Sequence, residues 1–202
     1  MRFGGAMSAF SSGPGHGPHH LVTGYDWASL TAGSTIVDVG GSLGSYTIPL
    51  VEANPNLKLV VQDMPFILDG SKDTANVRFM AHDFFQDQPV VAEVYVFRFI
   101  FHNWADKYAV QILRALVPAL KPGAKILVCD HCIPAAAEKD SEWKQKSASR
   151  MDMVQLGIQN GCERGDEEWR ALFKAADPRF KYSGYYTPAG SELSIMDVTW
   201  TP

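Results

Sequence analysis

Basic charge is scarce in this chain of 202 residues: 18 Lys and Arg stand against 22 Asp and Glu, a net charge of -4. That balance leaves no electrostatic footprint for nucleic acid or for an anionic membrane surface. No run of about 18 apolar residues occurs, so no membrane-spanning helix is expected. No basic stretch leads into an apolar one near the N-terminus, and no secretion signal is visible. Cysteine is also rare. Three of them cannot all pair, and the simpler reading is a reduced, cytoplasmic setting. What remains is an ordinary globular composition, 46% apolar and 20% charged, long enough for one domain with a substantial core.

Residues 1–34 divide in two. Phe3, Met7 and Phe10 recur at spacings of four and three, which predicts a short helix with one apolar face. Ser11 to His20 is rich in Gly, Pro and His and reads as a flexible surface loop; its histidines offer at most adventitious metal binding. From Thr35 the pattern alternates between strand and helix. Strands are expected at Thr35–Val39, Leu57–Gln62, Val77–Ala81, Val94–Ile100 and Lys125–Asp130. Helices are expected at Gly44–Ala53, kinked by Pro49, at about Lys107–Leu120, near Ser141–Gln159 and at Asp166–Ala176. Two closing strands, Tyr182–Tyr186 and Leu193–Thr199, have no helix between them, so one should run antiparallel. The sum is a doubly wound, mostly parallel α/β sheet of seven strands over residues 35–202.

Ligands of such sheets bind outside the carboxyl ends of the parallel strands. Several candidate residues fall at those ends. Gly41-x-x-Gly44 is the second half of a dinucleotide fingerprint, incomplete because Val39 stands where a first glycine belongs. Asp63 follows Gly41 by 22 residues and closes the second strand, where a carboxylate accepts from both ribose hydroxyls. Asp83 could accept from an adenine amino group while Phe84 packs on the ring; the competing reading of either Asp is a simple loop cap. His102 lies just past the fourth strand, and a histidine there can reach a substrate and titrate near neutral pH. Taken alone, His102-x-Trp104 reads better as an ordinary loop histidine packed on a structural tryptophan. Cys129-x-x-Cys132 ends a strand instead of opening a helix, which argues against a redox pair, and zinc would lack ligands. No metal is expected.

In series these segments resemble the catalytic domain of the S-adenosylmethionine-dependent O-methyltransferases of the caffeic acid type, their fungal secondary-metabolism relatives especially. The matching stretches are Val37-Asp38-Val39-Gly40-Gly41, Val61-Gln62-Asp63-Met64-Pro65, His82-Asp83-Phe84-Phe85, His102-Asn103-Trp104-x-Asp106, Leu120-Lys121-Pro122-Gly123 and Asn160-Gly161-x-Glu163-Arg164. The resemblance implies a Rossmann-like class I methyltransferase fold. It places Gly40 and Gly41 on the methionine part of the cofactor, Asp63 and the adjoining Met64 on the ribose side, and Asp83 and Phe84 on the adenine. Arg98 stands where the family has a cofactor-contacting lysine. His102 matches the general base, and Glu163 and Asp130 match the two acids that flank it; Asp130 replaces the Glu usual in plant members.

Phe3 and Met7 fit the family segment that begins the catalytic domain and lines the substrate pocket. Trp104 joins the substrate candidates. Met153, Leu156 and Asn160 share one helical face able to grip an aromatic ring, although Met and Leu at helical spacing are more often core. The family's N-terminal dimerisation domain has no counterpart here. The surface it covers is therefore an expected contact for a homodimer or a partner protein. The expected activity is methyl transfer from S-adenosylmethionine, leaving S-adenosylhomocysteine, to a phenolic or aromatic hydroxyl of a small, polyketide-like metabolite. Two alternatives stand beside it: a non-methylating reaction such as cyclisation or elimination on the same scaffold, or a silent domain that binds a partner.

Overall fold

The computed structural model describes residues 13–133 and 142–202, leaving aside the side chains of 142–145, 147 and 148. Phe3, Met7 and the helix expected around them lie outside the described residues.

The strands are β1 (Thr35–Val39), β2 (Lys58–Asp63), β3 (Val77–Ala81), β4 (Val94–Arg98), β5 (Lys125–Asp130), β6 (Cys132–Ile133), β7 (Arg164–Gly165), β8 (Phe180–Tyr186) and β9 (Ser194–Trp200). Seven of them form one sheet in the order β3-β2-β1-β4-β5-β9-β8, while β6 and β7 pair separately. Strands β1 to β5 run parallel, and β9 is antiparallel to both its neighbours. The strand order reverses beside β1, which leaves a crevice at the carboxyl ends of β1 and β4.

Both faces of the sheet are covered. Helices α1 (His19–Gly24) and α2 (Ile48–Ala53) bring Leu21, Leu50 and Val51 against Ile36, Val61, Val94 and Val96. Helices α3 (Asp106–Leu116) and α5 (Asp166–Ala176) set Ile112, Leu116, Trp169 and Phe173 against Val37, Tyr95, Phe97 and Val128 on the other face. Adjacent strand residues thus enter opposite layers, as the period-two geometry of a doubly covered strand requires. Helix α4 (Glu142–Gln159) packs outside the sheet against β6 and the loop after β4.

Strand boundaries shift by one or two residues, β4 for example ending at Arg98 instead of Ile100, and two helix boundaries differ for a clear backbone reason. The helix expected from Gly44 begins only at Ile48, because Gly44 has φ +71°, a left-handed conformation outside the right-handed helical region. Pro49 then falls in the first turn, where its missing N–H costs nothing, so there is no kink. Helix α3 ends at Leu116 and continues as a single 3-10 turn, Val117–Ala119, since Pro118 has no N–H with which to extend the α-helical ladder.

Candidate functional site

The expected site residues at the ends of β1 to β5 come together along one edge of the sheet. The loop after β1 is tied down by its own backbone: Gly40 and Gly41 N–H groups donate to the Gln62 carbonyl at 2.8 and 3.0 Å. Gly40 has φ +73°, and a side chain on it would meet Ile100 and Phe84. A Cβ on Gly41 would collide with the Asp38 carboxylate. Glycine is therefore needed at both positions, and the loop stays a shallow cradle of bare backbone.

Asp63 lies at the rim of this cradle, half-buried, accepting from the Ser42 N–H at 2.8 Å and from the Met64 N–H at 2.7 Å. Each of its oxygens keeps a second lone pair. Met64 is 39% exposed beside it. Asp83 closes its own turn by accepting from the Phe85 N–H at 3.0 Å. Phe84 stands half-buried against Phe85 and Trp104, with ring centroids 5.1 and 6.0 Å away. An adenosine-type ligand fits these features: backbone in close reach, an acid at the end of β2, an acid and an aromatic face after β3.

His102 sits in a 3-10 turn, Phe101–Asn103, directly after β4, and is buried. Its Nδ1 lies 3.0 Å from Glu163 Oε1, and the Glu163 side chain is wholly buried. A carboxylate partner assigns the proton to Nδ1 and leaves Nε2 as the nitrogen able to accept one. Burial works against the imidazolium, but the nearby Asp130 and Glu163 charges and the Glu163 hydrogen bond outweigh it. The His102 pKa is raised. Asp130, fully buried at the end of β5, has no close hydrogen-bond partner on either oxygen among the described residues; burial lifts its pKa to about 6 against the pull of His102.

Arg164 was legible only as the neighbour of Glu163, yet it fixes the whole turn. Its buried guanidinium donates to the carbonyls of Phe101 (2.9 Å) and Trp104 (2.7 Å) and to Asp106 (3.0 and 2.8 Å). Gly161 packs so closely that a Cβ there would run into the His102 carbonyl oxygen, which accepts from the Cys162 N–H at 3.1 Å. Asp152 on α4 holds the Glu163 N–H at 2.9 Å.

Other candidates are placed differently. Trp104 lies against Phe84 and Phe85, edge-on to Phe85 at 4.9 Å. Met153 and Leu156 are 74% and 61% exposed on α4, and Asn160, also exposed, ends that helix with φ +54°. Arg98 donates to the His16 carbonyl at 3.2 Å and lies over the rings of Tyr46 and Phe99. Residues 13–20 are not a free surface loop: His16 and His20 are 6% and 5% exposed. The sequence offered no signal for this, because the burial depends on docking against Arg98 and the β8–β9 connection. Most buried side-chain polar atoms without a hydrogen-bond partner among the described residues belong to this same edge, on His16, Arg98, Asp130, His131 and Glu163. Such groups are costly unless something completes them.

The family described as O-methyltransferase domain matches residues 18–178. The grayanic acid biosynthesis cluster O-methyltransferase of Cladonia grayi is 45% identical over all of this chain and 46% of its own length. The chlorophenol O-methyltransferase of Trichoderma longibrachiatum is 40% identical over 98% of this chain and 44% of its own. The chain thus spans about half the length of the curated relatives it matches. Among solved structures, the calicheamicin-biosynthesis methyltransferase CalO1 in its S-adenosylhomocysteine-bound form is similar, with TM-score 0.75, 26% identity, and coverage of 90% of this chain and 52% of that one.

Proposed function

The chain belongs to the O-methyltransferase domain family, and from that membership we propose that it transfers a methyl group from S-adenosylmethionine to a phenolic hydroxyl of a small aromatic metabolite, with His102 as the general base. The observation that carries this reading is the buried His102–Glu163 pair beside the glycine cradle at one sheet edge. S-adenosylmethionine, when bound, supplies a methyl group already activated on a sulfonium. Gly40, Gly41, Asp63, Met64, Asp83 and Phe84 are the residues to hold it, and no metal is called for.

The protein's own task is the proton. A phenol has a pKa near ~10 and stays mostly protonated at neutral pH. His102 Nε2 accepts that proton as the acceptor oxygen forms its new bond to carbon. Glu163, on the opposite nitrogen, holds the ring's orientation and stabilises the imidazolium. Asp130 adds negative potential behind the ring. Burial of all three groups keeps bulk water from competing with the acceptor for Nε2.

Calorimetric titration with S-adenosylhomocysteine tests the cofactor half: one-to-one binding, weakened at least tenfold by Asp63→Ala, is expected from the loss of a charged hydrogen-bond acceptor, roughly 1.5–3 kcal/mol. His102→Ala tests the other half. It should lower turnover of a phenol by about 10²-fold or more while S-adenosylhomocysteine affinity stays within about twofold; a parallel loss of both would remove His102 from the role of base.

A further inference from the structure

Three imidazoles surround one phenyl ring at this edge. Phe99, held at φ +56°, stacks on His102 with centroids 5.2 Å apart and planes 14° apart. His16 lies 5.7 Å from the same ring and His131 lies 6.1 Å from it. His16 and His131 meet edge to face at 5.9 Å. Only His102 is accounted for by the proton transfer. Both other side chains are 6% exposed, and both His16 nitrogens and His131 Nε2 lack a hydrogen-bond partner among the described residues. Glu192 stands 3.8 Å from His16 Nε2, too far for a hydrogen bond.

Anchoring the N-terminal loop does not explain His16. Its carbonyl accepts from Arg98, the Gly15 carbonyl accepts from the Glu192 N–H at 2.8 Å, and the His20 ring holds the Pro14 carbonyl at 2.9 Å. Those bonds fix the loop without any use of the His16 ring. An unpartnered buried polar group costs about 1–3 kcal/mol, and two such rings beside the base point to a bound group that completes them.

We infer that His16 and His131 form a second polar subsite beside His102, which hydrogen-bonds an oxygen of the aromatic substrate other than the one that is methylated. The inference rests on the proposed function and adds to it a substrate class, the phenols that carry a further hydroxyl or carbonyl oxygen near the reacting group. Burial pushes the pKa of both rings down, against the pull of Glu192 on His16 and of Glu163 on His131. Each ring is therefore neutral at physiological pH and offers one donor and one acceptor nitrogen. That chemistry suits an uncharged oxygen better than a carboxylate. A site built to bond a substrate oxygen rejects the analogue that lacks it, because its own buried groups are left unpaired.

The test titrates the chain, saturated with S-adenosylhomocysteine, with catechol and with phenol, which differ by one hydroxyl. The parent should bind catechol at least about tenfold more tightly, the difference expected of one oxygen at a built site. His131→Phe and His16→Phe should each bring the two affinities closer, leaving phenol and S-adenosylhomocysteine affinities within about twofold. His131→Asn, which keeps a donor and an acceptor, should restore part of the preference. Binding of both probes with equal affinity by the parent overturns the subsite, as does a variant that loses both equally while still binding S-adenosylhomocysteine. A parent that binds neither probe, or no S-adenosylhomocysteine, overturns the proposed function itself and the subsite with it.

Discussion

At the scale of single residues, two acids, Asp130 by its charge and Glu163 by its charge and hydrogen bond, offset burial and set how basic His102 is. In the proposed role of His102 as base the neutral imidazole is the working form, so a raised pKa means that this form is lost as pH falls through a value above that of an ordinary histidine. Glu163→Gln keeps the shape of the contact and removes its charge. Burial and Arg164 then weigh more heavily, the His102 pKa falls, and the acid limb of the kcat/KM profile should move to lower pH. The plateau should drop by about 10²-fold, because the imidazolium loses its stabilising acid. A pH profile of parent and variant at saturating cofactor decides this, and a limb that does not move would separate Glu163 from the base. His102 and Glu163 were legible because each sits in a short, ordered run of residues. His16 was not, because a glycine-rich stretch has no periodicity and its burial comes from contacts with Arg98 and Glu192, far away in sequence.

At the scale of elements, the turn that carries His102 is held from outside by the segment that follows α4. Arg164 bonds two carbonyls of the turn, and Gly161 lies flat against the His102 carbonyl. Gly161→Ala places a methyl group into backbone, which cannot swing aside as a side chain would. Overpacking of this kind costs about 1–3 kcal/mol, and displacement of His102, the proposed base, by about 1 Å can cost about 10²-fold in turnover. Denaturant unfolding should show the first loss and a methylation assay the second, while S-adenosylhomocysteine affinity should hold, since the β1 and β2 cradle is untouched. Parent-like stability with parent-like turnover would mean that the contact has no hold on the turn. The seven strands of the main sheet were legible from apolar runs ended by Gly, Asp and Pro, and an antiparallel strand at the end of the chain from the missing helix between the last two, while the two-residue strands β6 and β7 were too short to give a pattern. The start of α2 was not, because Gly44 looks permissive in sequence and only its positive φ excludes it from the helix. The grip of Arg164 on the turn was equally hidden, since a Glu-Arg pair reads first as two surface charges.

At the scale of the whole molecule, the same edge that assembles the site makes stability depend on pH. Asp38 and Asp130 are both fully buried, and burial lifts each to a pKa of about 6. Their folded pKa values exceed the unfolded ones, so the stability they contribute is fully present below about pH 4 and is lost as pH rises through about 6. His102 has the same sign. His16, His82 and His131, held below the usual histidine value first of all by burial, act in the opposite sense, and their contribution is lost as pH falls. The profile of the parent therefore mixes both trends, and a difference between two proteins isolates one of them. Asp38→Asn mimics the protonated carboxyl and can still accept from the Thr47 hydroxyl. Its stability should match the parent at pH 4 and exceed it by up to about 3 kcal/mol at pH 8, from a shift of about two pH units at ~1.36 kcal/mol each. Urea unfolding of both proteins at pH 4, 6 and 8 measures that difference. A gap that widens with pH locates the cost of the ionised carboxylate beneath the glycine cradle, whereas a constant gap would mean that Asp38 is already matched in both protonation states by Thr47 and Arg98.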